Sequence, residues 1–141
     1  MKLRAQPINC TLKGDATKAS STDAMIALLA KEFGALEVEV ADPIRIAALN
    51  IAPGVSSDEG DGDEWPGVRT KILAADILIF GTPIWMGQPS SVAKRVLERM
   101  DAFLGETDKQ GRMPSYSKVA VVAIVGNEDG RTTASPRSPR A

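Results

Sequence analysis

Apolar positions along this chain change period repeatedly, and the order of the changes predicts an architecture. Leu3 to Cys10 reads as a first strand ending in Asn9-Cys10-Thr11, although Pro7 cannot donate to a ladder and is unusual in a central strand. A polar loop, Lys13 to Ser20, separates it from a helix that starts near Ser21 or Thr22 with Asp23 in its first turn. Met25, Leu28, Leu29 and Phe33 supply an apolar stripe at helical spacing, and Gly34, tolerant of the left-handed conformation, is expected to stop it. Leu36 to Val40 alternates strictly and predicts a second strand; Ile44 to Leu49 predicts a short helical turn before a long surface loop. A second helix is expected from Trp65-Pro66 to about Ala74, with proline in its first turn, where a missing N–H is harmless.

The second half repeats the alternation. Asp76 to Gly81 contains Ile-Leu-Ile-Phe, a continuously apolar run that suits a strand covered on both faces. The loop Thr82 to Gln88 leads into a helix over roughly Pro89 to Leu104, with Val92, Val96, Met100 and Phe103 on its buried side. Residues 118–125, Lys-Val-Ala-Val-Val-Ala-Ile-Val, form the clearest strand. The order β-α-β-α-β-α-β implies an α/β fold: a doubly wound parallel sheet with helices on both faces and right-handed crossovers.

Composition narrows the chemistry. At 141 residues, 43% hydrophobic and 25% charged, the chain suits one globular domain with a proper core. A net charge of -1 gives no global attraction to nucleic acid or anionic membranes. Val119 to Val125, the longest strongly apolar stretch, is too short to span a bilayer, and no apolar segment follows the basic start as a signal peptide would require. The single cysteine, Cys10, excludes an internal disulfide and fits a reducing cytoplasm. No histidine is present, which removes Ser-His triads and the usual histidine-containing zinc sites. Residues 57–64 form an acidic, glycine-rich stretch with the flexibility of a loop, whereas residues 131–141 are basic, proline-containing and expected to be disordered.

In an open parallel sheet, ligands bind beyond the carboxyl ends of the strands. Three loops of unusual composition occupy that edge. The first, Thr11 to Thr22, gathers hydroxyls at a helix start, where free N–H groups and the helix dipole favour an anion. Ser20, Ser21 and Thr22 could donate to a phosphate, with Thr11 opposite and Lys13 or Lys18 adding charge; ordinary N-capping accounts for the same residues. The second, Gly81 to Ser91, carries Trp85 among glycines and prolines, placed either to stack on a flat ligand or to cover the core or a subunit contact. The third, Val125 to Gly130, sets two glycines around three polar side chains, as a ring edge or a plain turn would require.

These residues carry a resemblance. Asn9-Cys-Thr-Leu-Lys13, Ser20-Ser-Thr-Asp23 and Asp63-Glu-Trp-Pro66 lead to the most specific stretch, Ala75-Asp-Ile-Leu-Ile-Phe-Gly-Thr-Pro-Ile-Trp-Met-Gly-Gln-Pro-Ser-Ser91, which continues as Val92-Ala-Lys-Arg-Val-Leu97. Val122-Ala-Ile-Val-Gly-Asn-Glu-Asp-Gly130 closes it. Over roughly residues 8–130 the chain resembles the flavodoxin-like, NAD(P)H-dependent FMN reductases. The resemblance implies FMN as cofactor and NAD(P)H as co-substrate. Thr11, Lys13, Ser20, Ser21 and Thr22 would surround the phosphate, and Thr82, Pro83, Ile84, Trp85, Met86 and Gly87 would flank the isoalloxazine. Gly126, Asn127, Glu128 and Gly130 would close the site. The implied chemistry is hydride transfer to the flavin and onward reduction of a quinone, free flavin or similar small-molecule acceptor, with no side-chain acid, base or nucleophile. A homodimer is implied by the same likeness.

The flavodoxin-like order 2-1-3-4-5 calls for a fifth strand and a last helix, and nothing after Gly130 reads as either. The final eleven residues resemble either out-of-frame translation of a GC-rich gene, with a frameshift or truncation after Gly130, or a natural basic tail; the first leaves order 2-1-3-4 and the last strand as an open edge. Two other readings are a one-electron carrier flavodoxin and a remnant that keeps the fold without cofactor. A phosphate-accepting receiver domain is disfavoured, because Asn9-Cys10-Thr11 and Gly81-Thr82 stand where its carboxylates should cluster.

Overall fold

A computed structural model describes residues 1–126. Asn127, Glu128 and Gly130 of the third loop, and the expected disordered tail, lie outside the described residues. Strand β1 (Arg4–Asn9) is followed by helix α1 (Ser21–Ala35), two short strands β2 (Glu39–Val40) and β3 (Ile44–Arg45), and a 3-10 turn over Ile46–Ala48. Helix α2 (Trp65–Leu73), strand β4 (Ile77–Trp85), strand β5 (Gln88–Pro89), helix α3 (Ser91–Met100) with a 3-10 extension over Asp101–Leu104, and strand β6 (Val119–Val125) complete the order.

β1 and β4 form the centre of a parallel sheet. β2 and β3 both pair with β1, and β6 pairs with β4 along seven residue pairs from Ile77↔Val119 to Pro83↔Val125. Taking β2 and β3 as one interrupted strand, the order is the expected 2-1-3-4. α1 covers one face, with Ile26 packed on Ala5 and Ile79. α2 and α3 cover the other, where Trp65, Val68, Ile72, Ala93 and Val96 pack on Ile8, Leu78 and Phe80.

The interruption between β2 and β3 explains how Pro7 fits a central strand. Hydrogen bonds from a parallel strand leave alternately to either side. Leu3 and Ala5 accept from Glu39 and Ala41 on the β2 side, so the missing N–H of Pro7 also faces that side. There the neighbouring strand is broken at Ala41-Asp42-Pro43. Gln6 fills the gap, its Nε2 donating to the carbonyls of Pro7 (2.8 Å) and Asp42 (3.1 Å).

Several expectations need correction. The second strand does not begin at Leu36. α1 runs one residue past Gly34 and ends in a Schellman motif: Val38 N–H donates to Phe33 C=O, Glu37 N–H to Gly34 C=O, and Glu37 takes the left-handed conformation (φ 63°). The buried face of α1 is rotated from the expected stripe. Ile26 and Thr22 are buried while Leu28 is exposed, because the helix leans its first turn onto the sheet. The loop expected to begin at Thr82 is strand as far as Trp85, closing with β5 as a hairpin. The acidic stretch 57–64 is a loop as expected, its acids exposed except Asp63, whose side chain is buried and hydrogen-bonded to its own loop and to α3.

Candidate functional site

The extension of β4 brings the first two loops together. Alternation along the strand puts Gly81, Pro83 and Trp85 on the face of Ile79, the face covered by α1. A Cβ at Gly81 would lie 2.9 Å from Thr22 Cγ2 and 3.0 Å from Ile26 Cδ1, so glycine here lets the first turn of α1 approach the sheet. The outcome is a cleft of about 420 Å³ lined by Thr11, Lys13, Ser20, Ser21, Thr22, Pro83, Ile84, Trp85, Val125 and Gly126. Its volume lies in the range of small-molecule sites, about 300–1,000 Å³.

One end of the cleft is polar. Ser20 is the N-cap of α1, its Oγ accepting from Asp23 N–H (3.0 Å), while its carbonyl accepts from Ala24 N–H. The N–H groups of Ser21 and Thr22 then have no acceptor within the helix. Asn9, fully buried at the end of β1, fixes this turn: Nδ2 donates to Ser20 Oγ (3.0 Å) and Asp23 Oδ1 (2.6 Å), and Oδ1 accepts from Thr11 N–H (2.9 Å). Lys13 reaches back to the carbonyl of Ala19 (2.7 Å). No carboxylate lines the cleft, and Lys13 is its one formal charge among the described residues. Free helix N–H groups, clustered hydroxyls and a cation without an acid are the donor set of an anion site.

The other end is apolar. Trp85 stands half exposed at the rim above Pro83 and the buried Ile84. Gly126 lies against Ile84, and a Cβ there would run into the Ile84 side chain. The hairpin turn, Met86-Gly87, has positive φ at both residues (52° and 74°), the signature of a type I′ turn.

The first two loops thus meet as expected, with Gly126 from the third. Three residues of the second loop stand differently. Thr82 is buried, its Oγ1 accepting from Ser90 N–H (3.1 Å) and donating to Pro83 C=O (2.8 Å), so it braces the hairpin rather than facing the cleft. Met86 is almost fully exposed, and Met86 and Gly87 form the hairpin tip outside the lining. Ser90 caps α3 and donates to the carbonyl of Cys10 (2.7 Å), tying the end of β1 to the hairpin. Burial pushes the Cys10 thiol up to about 12, so it is no nucleophile near neutral pH.

Sequence reasoning did not single out Asn9 or Arg45. Arg45 is buried on β3 and its guanidinium donates to the carbonyls of Asp15 (2.9 Å) and Lys18 (3.1 Å) and to the Asp23 carboxylate. The one available signal was a charged residue between two isoleucines, Ile44 and Ile46, at the end of an alternating segment.

A parallel, doubly wound sheet with a hydroxyl-rich turn after its first strand and an aromatic hairpin after its third is a flavodoxin-like fold. The chain belongs to the NADPH-dependent FMN reductase family, whose model matches residues 10–137. FMN and NADPH are the family's cofactor and electron donor, and its members are oxidoreductases. Among individual proteins, the chain is 38% identical over 135 residues to a Mycobacterium bovis protein named divalent metal cation transporter MntH, covering 91% of this chain and 19% of that one. It is 33% identical over 145 residues to 8-demethyl-8-aminoriboflavin-5′-phosphate synthase of Streptomyces davaonensis, covering 92% of this chain and 53% of that one. The crystal structure of RosB with the bound intermediate 8-demethyl-8-formylriboflavin-5′-phosphate superposes with a TM-score of 0.81 at 29% identity, over 94% of this chain and 55% of RosB. The Trp repressor binding protein from Bacillus subtilis shares the fold (TM-score 0.55, 21% identity, 92% of this chain and 66% of that one). The chain therefore spans about a fifth of the first sequence relative and about half of the second. Among the described residues no helix is long and apolar enough to cross a membrane, and no group of three or more His, Cys, Asp or Glu side chains could hold a metal ion.

Proposed function

We propose that the cleft holds FMN, with the phosphate on the Ser20–Thr22 turn and the isoalloxazine against Trp85, and that the protein passes electrons from NADPH to a small acceptor such as a quinone or free flavin. The observation that carries this reading is one cleft, lined by no carboxylate, with a hydroxyl-rich helix start at one end and a half-exposed tryptophan at the other. The phosphate seat comprises the N–H groups of Ser21 and Thr22, the hydroxyls of Thr11, Ser20, Ser21 and Thr22, and the Lys13 ammonium. Pro83, Ile84 and Trp85 flank the ring, and Gly126 closes the site. Thr82 acts through the hairpin it braces. FMN supplies the hydride acceptance and onward electron transfer; the chain binds, orients and shields. Cytoplasmic residence and pairing of two copies belong to the same reading.

The flavin phosphate bound in RosB supports the ligand class. It also favours a second reading, in which a flavin phosphate is substrate rather than resident cofactor. One experiment addresses both. The protein is equilibrated with FMN, freed of excess, scanned in the visible, and treated with NADPH without oxygen. A retained flavin band that bleaches is the expected result, with the flavin recovered unchanged in mass after reoxidation. A band that resists NADPH favours a one-electron carrier, a recovered flavin of altered mass favours flavin processing, and no retained flavin contradicts the proposal.

A further inference from the structure

We infer that Arg45 is the positioning residue of the anion turn, setting affinity for the phosphate end of the ligand and not for its ring; this rests on the flavin reading above. Residues 12–19 have no regular structure and every one is exposed, so burial does little to fix their path and polar contacts carry more of it. Arg45 supplies most of the long-range ones. Its Nη1 donates to the carbonyls of Lys13 (3.4 Å) and Asp15 (2.9 Å), and its Nη2 to the carbonyl of Lys18 (3.1 Å). Three carbonyl oxygens, each a partial negative charge, are thereby held toward the guanidinium instead of being free to face an anion. A planar fork with five donors can serve several acceptors together, which a single ammonium on a flexible stem cannot.

Charge gives the second half of the argument. Asp23 sits in the first turn of α1, where an unpaired carboxylate would repel a phosphate on the same turn. Both of its oxygens are engaged: Oδ1 accepts from Asn9 and Oδ2 from Arg45, which forms an ion pair with it. Arg45 itself does not line the cleft. It lies on the wall of a separate cavity of about 520 Å³ between α1 and the β2–β3 edge, together with Asp23 and Ala16. Its influence on a ligand in the cleft therefore runs through the loop and through Asp23.

The test compares two flavins that share a ring and differ in the phosphate. Affinities for FMN and riboflavin are measured for the wild type, Arg45→Met and Arg45→Lys, and thermal unfolding without flavin shows which variants fold. Arg45→Met is expected to weaken FMN by about tenfold or more while riboflavin stays within about twofold. Arg45→Lys keeps a charge near Asp23 without spanning the carbonyls, so it should fall between, and it carries the test if Arg45→Met does not fold. An unchanged FMN affinity in a folded variant overturns the inference, as does a parallel loss for both flavins, which would mean a merely structural role. A wild type that binds neither flavin overturns the flavin reading and this inference with it.

Discussion

Arg99 and Asp63 form a two-pronged ion pair with both side chains fully buried, Nη1 donating to Oδ1 at 2.9 Å and Nη2 to Oδ2 at 2.7 Å. The same guanidinium donates to the carbonyls of Ala52 and Ser56 and lies 5.7 Å from the centre of the Trp65 ring. One side chain of α3 thus pins the long loop between the 3-10 turn and α2. Removing it leaves the Asp63 carboxylate buried without its partner. Arg99→Ala is expected to cost about 3–5 kcal/mol in denaturant unfolding, and Arg99→Met with Asp63→Asn less than Arg99→Ala alone. Equal losses for both would show that packing, not charge, carries the contact.

Acid should act through the same pair. The Arg99 guanidinium, with N–H groups of Glu59, Trp65 and Ala52, holds the Asp63 carboxyl well below the usual carboxylate range. As pH falls the unfolded chain therefore takes up this proton first. The stability contributed by the pair is complete above the ordinary aspartate pKa of about 3.9 and drains below it toward the depressed folded value. Unfolding free energy measured from neutral pH to pH 3 should fall with a slope that Asp63→Asn reduces; an equal slope in that variant would contradict the assignment.

Gly81 is expected to tolerate no side chain. An alanine Cβ would meet Thr22 and Ile26 and lie 3.2 Å from the carbonyl of Ile8, which as backbone of the central strand cannot yield. Gly81→Ala should cost about 1–3 kcal/mol and weaken FMN by displacing the first turn of α1. Wild-type stability with wild-type affinity would mean that the helix is less tightly seated than its contacts require.

Met86 occupies a left-handed position where asparagine or glycine is favoured. Met86→Asn should therefore raise stability by about 1 kcal/mol, read as a higher denaturant midpoint with unchanged slope. A lower midpoint would show that the exposed thioether makes a stabilising contact that asparagine loses.

What the sequence made legible follows from how local each cause is. The apolar runs Ile77 to Phe80 and Val119 to Val125 both mark strands where expected, the first largely buried and the second with only Ala123 buried. Trp65-Pro66 marks the start of α2 for a local reason, the harmless missing N–H. The convergence of the first two loops was legible because parallel topology sends successive strand ends to one edge. Features with distant causes were not. Pro7 fits a central strand because the neighbouring strand is interrupted at Ala41–Pro43, with Gln6 filling the gap. Arg45 is bound to backbone carbonyls more than twenty residues away, and carbonyl acceptors leave no trace in residue identity. The reach of β4 to Trp85 depends on pairing with β5 and β6, which overrides the turn-like look of Gly-Thr-Pro.

The central claim is one of place: a flavin phosphate spanning from the start of α1 to the β4–β5 hairpin. A crystal structure determined with FMN tests it most directly. Electron density for the ring stacked on Trp85, with the phosphate hydrogen-bonded to the N–H groups of Ser21 and Thr22, is the predicted result. FMN bound elsewhere on the molecule, or an empty cleft at saturating FMN, would contradict it.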